Sequence, residues 1–123
     1  MTIAQPRGRP GSRPNEEHAA LSFEISSYEN GHDALVEVSG DLDSFTSPRL
    51  REVLNTALRD RPNRVFVGLT DVPFVDSTAL SVLAECHYRA RSQGCELVLC
   101  SPTQTVRRVL DLTRLSDRLP VQG

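Results

Sequence analysis

The residues best suited to chemistry lie in the stretch PFVDSTALSVL, residues 73–83, where an acid and two hydroxyls separate an apolar pair from an apolar helical pattern. Asp76 is a good N-cap, and its carboxylate would face the positive end of the helix dipole. The apolar pair, Phe74 and Val75, is expected to anchor the turn in the core. Ser77 then takes the first helical position with no capping role. A hydroxyl there suits phosphorylation, because N–H groups and the dipole stabilise a phosphate. Serine is also common in first turns, and composition alone favours that simpler interpretation.

The helix that follows Asp76 has two distinct faces. It is predicted from Ser77 to Gln93, with Gly94 as a left-handed residue at its C-terminus. At about 100° per residue the side chains divide into an inward and an outward set. The inward set is Ala79, Leu80, Leu83, Cys86 and Ala90. The outward, polar set is Ser77, Ser81, Glu85, Tyr88 and Ser92.

A serine hydrolase is the enzymatic alternative for Ser77, and it would need a base within reach and an oxyanion hole. The flanking Val75 and Ala79 do not form the G-x-S-x-G elbow of such enzymes. His87 lies on the same helix about 15 Å along the axis, too far to deprotonate Ser77, and is interpreted as a helix-flank residue. We therefore predict no catalytic residue and no enzyme.

Metal and cofactor sites are not predicted either. Asp41 and Asp43 in the loop GDLD could bind a cation or act as paired carboxylates, but no third ligand lies near them in the sequence. The cysteines Cys86, Cys95 and Cys100 have no C-x-x-C spacing, so neither zinc nor a disulfide framework is indicated. A reducing cytoplasm is the expected location.

Length and charge limit the remaining classes of fold and function. The 123 residues make one domain, with residues 1–18 expected to be a disordered tail because they are rich in Pro, Gly and Arg. Residues 19–123 hold 11 Arg against 14 acids, or −3, which argues against direct nucleic-acid binding. The chain has no run of 18 apolar residues, so no membrane span is predicted.

The elements that must position Ser77 begin with a hairpin. Leu21, Phe23 and Ile25 alternate with polar residues, 29–31 has turn chemistry, and a second strand carries an apolar run from Leu35. Ser47 is predicted to cap a helix with Pro48 at its first position. The apolar face of that helix is formed by Leu50, Val53, Leu54, Ala57 and Leu58.

Two apolar strands and a third helix complete the pattern. RVFVGL is predicted to be buried on both faces, and ELVLC is a similar strand. The third helix turns Val106, Val109 and Leu110 inward, Leu112 and Leu115 are expected to pack, and LPV can add an edge strand. The predicted fold class is α/β: a hairpin, then a mixed, mainly parallel sheet with helices packed against it.

Three segments together carry a resemblance to a known family: VEVSGDLDSFTSPRLREVL, VFVGLTDVPFVDSTALSVL and GCELVLCSPTQTVRRVLDLTRL. In this order and spacing they resemble the STAS domains of bacterial anti-sigma factor antagonists. The resemblance runs from about Leu21 to Val121 and implies a single STAS domain at 19–123. Where the family usually has Gly, this chain has Ala79, and where it often has Asp or Asn, this chain has Gly68.

The resemblance implies a switch between partners. Unphosphorylated, the protein would bind an anti-sigma factor that is also a serine kinase; phosphorylation of Ser77 would end that binding, and a phosphatase would restore it. The alternative is a non-phosphorylated STAS interaction module, such as a scaffold or a lipid-transport complex subunit. The residues expected at the partner-binding surface are Asp41, Asp43, Asp76, Thr78, Ser81 and Glu85.

Overall fold

A computed structural model of the chain describes residues 22–27 and 32–123. For residues 23–27 it describes the backbone alone. The predicted tail at 1–18, the turn at 29–31 and Leu21 lie outside the described residues.

Five strands form one sheet whose spatial order follows the sequence, and all but the first run parallel. The antiparallel pairing of the first two strands confirms the predicted hairpin, and the two-residue last strand confirms the predicted edge strand. The strands are β1 Ser22–Ser27, β2 Asp33–Ser39, β3 Arg64–Asp71, β4 Glu96–Cys100 and β5 Val121–Gln122.

Three α-helices connect the parallel strands: α1 Ser47–Arg59, α2 Ser77–Ser92 and α3 Gln104–Leu112, followed by a 3-10 turn at Leu115–Asp117. Because each new strand is added on the same side of the last, right-handed crossovers place these helices on one face of the sheet. Neighbours on that face, such as Val36, Val67 and Leu99, are in register and fully buried.

The prediction that β3 is buried on both faces is wrong at Phe66. Its side chain is half-buried, whereas those of Val65 and Val67 on either side are fully buried. Successive side chains of a strand point to opposite faces, and the described helices cover only the face of Val65 and Val67. A short apolar run thus predicts a strand but not how many of its faces are covered.

Two details at helix ends also differ from the sequence prediction. Helix α1 begins at Ser47 itself, with Thr46 as its N-cap and Pro48 at the second position. Leu112, expected to pack, is 76% exposed at the end of α3, while Leu115 packs against the core. Within α1 the predicted apolar face is confirmed, since Leu50, Leu54 and Leu58 are fully enclosed.

Candidate functional site

The chain leaves the sheet after β3 and enters α2 through Asp76, which caps the helix as predicted. One oxygen, Asp76 Oδ1, accepts hydrogen bonds from the backbone N–H of Thr78 at 2.9 Å and of Ala79 at 3.1 Å. The Thr78 hydroxyl donates to the same oxygen. The first turn of α2 is thus held by one carboxylate, and Thr78 is part of that cap.

These contacts favour the ionised form of the Asp76 carboxyl group. Burial by itself would raise the pKa of Asp76, but hydrogen bonds from the Thr78 hydroxyl and from the N–H groups of Ala79, Thr78 and Ser44 together lower it. A negative charge therefore stands directly before Ser77, which is an exposed residue at the first position of the helix.

Ser77 begins the outward stripe predicted from the helical wheel. Ser81 and Glu85 are exposed on the same side of α2, and Tyr88 is 58% exposed further along. Glu85 also bridges to α1, because its Oε1 lies 2.9 Å from Nη2 of Arg51. The stripe therefore combines the exposed hydroxyls of Ser77 and Ser81 with a carboxylate that is already paired across two helices.

Ala79 does not obstruct this surface. Its side chain is fully buried on the inner face of α2, together with Leu83 and Ala90. The additional methyl group, relative to glycine, therefore packs into the core and lies away from the surface around Ser77.

The loop after β2 lies beside the cap. Leu42 and Val75 form an isolated parallel bridge, in which the Leu42 N–H donates to the Phe74 carbonyl at 2.9 Å and the Asp76 N–H donates to the Leu42 carbonyl at 3.0 Å. Both segments leave the carboxyl ends of neighbouring parallel strands, so they meet at one edge of the sheet. Asp41, at the head of this loop, is half-buried.

Asp43 requires a correction, because the structure places it beneath this surface. It is only 5% exposed, and its Oδ1 accepts hydrogen bonds from the N–H groups of Phe45 at 3.0 Å and Thr46 at 3.1 Å. The Thr46 hydroxyl in turn receives the Asp43 N–H at 2.9 Å and donates to the Asp41 carbonyl at 2.8 Å. Asp43 shapes the loop that leads into α1.

Two phenyl groups near the cap were missed as surface residues. Phe74, expected to anchor the turn in the core, is 46% exposed, and Phe45 is 75% exposed. Val75 next to Phe74 is buried instead, as alternation along an extended segment requires. An apolar pair before a helix gives no sign of which member points outward. Exposed aromatic rings of this kind are common at protein interfaces.

The groups that could support other chemistry lie elsewhere. His87 is buried, at 7% exposure, which corrects its interpretation as a flank residue, and it lies in the C-terminal half of α2, away from Ser77. Among the described residues no cluster of three metal-ligating side chains occurs. In the same part of the chain no helix is long and apolar enough to cross a membrane.

Comparison with known proteins agrees with this architecture. The family model described as STAS domain matches residues 24–122. The anti-sigma-B factor antagonist of Listeria monocytogenes is 28% identical over 103 residues, covering 84% of this chain and 90% of that protein. The protein of the same name from Staphylococcus aureus is 30% identical over 86 residues, covering 70% and 80%.

A solved structure gives the same result. The crystal structure of an anti-sigma factor antagonist from Mycobacterium paratuberculosis superposes with a TM-score of 0.73 at 25% identity, covering 91% of this chain and 90% of that one. The family match covers both the sheet and the Asp76–Ser77 turn. The chain belongs to the STAS domain family.

Proposed function

We propose that this protein is an anti-sigma factor antagonist, a non-enzymatic cytoplasmic regulator that binds an anti-sigma factor with serine kinase activity. The observation that carries the proposal is the exposed Ser77 directly after the ionised cap Asp76. The names of its relatives support the same role. Phosphorylation of Ser77 would end the interaction, and a phosphatase would restore it.

The electrostatics of the turn favour a switch that acts by repulsion. A phosphoserine adds about −1.5 to −2 charges at pH 7. At Ser77 it would meet the Asp76 carboxylate, which already occupies the N–H groups of Thr78 and Ala79. The phosphate therefore gains less from the helix N–H groups than the sequence predicted, and it adds charge to an interface fitted to a neutral hydroxyl. Each loss of about 1.4 kcal/mol weakens binding tenfold.

The binding surface would combine the helix stripe with the neighbouring loops. Thr78, Ser81 and Glu85 supply its polar groups, and Asp41 lies at the loop edge. To these predicted contacts we add Phe45 and Phe74, because large exposed rings beside the modified serine suit the apolar centre of an interface.

The test is a kinase assay with matched serine variants. The purified full-length protein is incubated with its cognate kinase and ATP, and intact mass is measured. One added phosphate is expected on the wild type and on Ser92→Ala, which removes an exposed hydroxyl from the other end of α2. Ser77→Ala should receive none.

Binding provides the second readout. We expect Ser77→Asp to weaken the complex with the kinase by about tenfold or more, since a fixed charge stands in for part of the phosphate. Equal affinities of Ser77→Asp and wild type would overturn the switch. Retained binding with no phosphate on Ser77 in protein from the native cell would instead identify a constitutive STAS interaction module.

A further inference from the structure

Two hydroxyls lie side by side at the start of α2, and they differ in their hydrogen bonding. Ser77 and Thr78 are both exposed, so access alone does not decide which of them a kinase can modify. Each side chain offers one hydroxyl with the same donor and acceptor capacity. Selection between them has to come from another feature of the turn.

The Thr78 hydroxyl is already engaged. It donates its proton to Oδ1 of Asp76, the same oxygen that accepts the N–H groups of Thr78 at 2.9 Å and of Ala79 at 3.1 Å. The N–H of Ser44, in the loop before α1, donates to the Asp76 carboxyl group as well. Because these contacts favour the ionised carboxyl group, the bond from Thr78 is charge-assisted and stronger than a bond between neutral groups.

The Ser77 hydroxyl has no such bond. Among the described residues no hydrogen-bond partner is found for its Oγ. The carboxylate next to it in the chain, Asp76, accepts instead from Thr78, Ala79 and Ser44. The oxygen of Ser77 can therefore meet a reacting phosphorus without first losing a bond to the protein.

We infer that Asp76 selects the phosphate acceptor by holding the Thr78 hydroxyl, which confines phosphorylation to Ser77; the inference rests on the proposed function. In the transfer, Ser77 Oγ forms a bond to the γ-phosphorus of ATP. The bond from that phosphorus to its bridging oxygen breaks, ADP leaves, and the hydroxyl proton is released to solvent. The same reaction at Thr78 would first have to break the bond to Asp76. Because a hydrogen bond to a charged group is lost, reaction at Thr78 should be slower by about tenfold or more.

The selection is tested by phosphorylating the full-length protein with its cognate kinase and ATP and locating the phosphate by peptide mass spectrometry. Thr78→Ser is the reference chain, because it places a serine hydroxyl at both positions and keeps a donor for Asp76. In it, phosphate on Ser77 should exceed phosphate at position 78 by about tenfold or more. Adding Asp76→Ala should reduce this ratio by about tenfold or more. Both products form on one chain, so a change in kinase affinity cancels in the ratio.

Gly94→Ala, added to the Thr78→Ser chain, is the control for lost stability. It strains the other end of α2, where Gly94 has φ +75°, and leaves the cap at Asp76 intact, so the ratio should not change. The inference is wrong if Asp76→Ala leaves the ratio unchanged, or if Gly94→Ala lowers it to the same extent.

A second measurement needs no kinase. Burial raises the pKa of Asp76 and the hydrogen bond from the Thr78 hydroxyl lowers it, so this pKa should be higher in Thr78→Val than in the wild type. Thr78→Ser should keep the wild-type value, and nuclear magnetic resonance of the carboxyl carbon measures all three chains. An unchanged pKa in Thr78→Val would overturn the inference while the proposed function stands. If the wild type received no phosphate from the kinase, the proposed function would fail and the inference with it.

Discussion

At the level of single residues, Asp76 and Ser77 are neighbours in the chain but have different roles. The carboxylate of Asp76 holds the first turn of α2, while the hydroxyl of Ser77 is exposed. Stability therefore depends on the first residue, and the proposed regulation depends on the second. Such a division allows Ser77 to be modified without loosening the helix that presents it.

Substitution of Asp76 tests this division. Asp76→Ala should lower the free energy of unfolding by about 1 kcal/mol, the usual effect of losing an N-cap. Ser77→Ala should change it by less than about 0.5 kcal/mol, as expected for an exposed surface position. Urea unfolding followed by circular dichroism measures both. Equal losses in the two variants would show that Ser77 shares the capping role.

Asp43 is the corresponding structural acid of the loop before α1. Asp43→Ala should destabilise the protein by about 1–3 kcal/mol, because the buried carboxylate and its hydrogen bonds from the N–H groups of Phe45 and Thr46 are lost. Asp41→Ala is the control and should have a much smaller effect, since that side chain is half-buried. If the denaturant midpoint fell by the same amount in Asp43→Ala and Asp41→Ala, the structural role assigned to Asp43 would be wrong.

At the level of secondary-structure elements, the C-terminus of helix α2 was predicted from Gly94 alone. Gly94 has φ +75°, its N–H donates to the Arg91 carbonyl at 3.1 Å, and the Cys95 N–H donates to the Ala90 carbonyl at 2.8 Å. This pair of bonds is a Schellman motif, which satisfies carbonyls that the helix itself leaves unpaired.

Gly94 is required for its backbone conformation, because a Cβ built there would meet nothing within 4 Å. Gly94→Ala should therefore reduce the free energy of unfolding by about 1 kcal/mol through left-handed strain alone. Gly94→Asn should lower the free energy of unfolding by less than Gly94→Ala, since asparagine tolerates the left-handed conformation better than alanine does. Thermal unfolding of the two variants gives the comparison, and an alanine variant as stable as wild type would be inconsistent with the strain.

Periodicity predicted the elements well because it reports which side chains meet the sheet. The spacing of Leu50, Leu54 and Leu58 placed α1, and Asp76 with Gly94 bounded α2 to within one residue. The errors at Phe66, Phe74 and Asp43 have a different origin. Their burial depends on what other segments place over them, such as Thr46 folding back onto Asp43, and no local pattern contains that information.

The core of the whole molecule is a single layer between the sheet and its helices, and Cys86 reports on it. This thiol is 2% exposed, and burial raises its pKa to about 11. Cys100, at the end of β4, is half-buried. Burial also raises the pKa of the Cys100 thiol, so the difference in access is what should make the two residues respond differently to an alkylating reagent.

We expect iodoacetamide at pH 8 to label Cys100 in the native protein while Cys86 stays unmodified until the domain unfolds. Peptide mass spectrometry at increasing urea gives the two labelling curves. The labelling curve of Cys86 should follow the loss of the circular dichroism signal. If Cys86 were labelled as fast as Cys100 without urea, the helix layer would open locally.

The 40–46 loop contacts the Asp76 turn, and this arrangement affects which residues of such a domain can change in evolution. The loops that approach Ser77 leave the sheet at its carboxyl edge, while the apolar core lies in the layer behind them. Changes at Phe45 or Phe74 can therefore alter the proposed binding surface without altering the core. Under the proposed function, a cell with several such domains can keep their partners separate through changes at this edge of the sheet alone, and binding to a wrong partner then depends on a few loop residues.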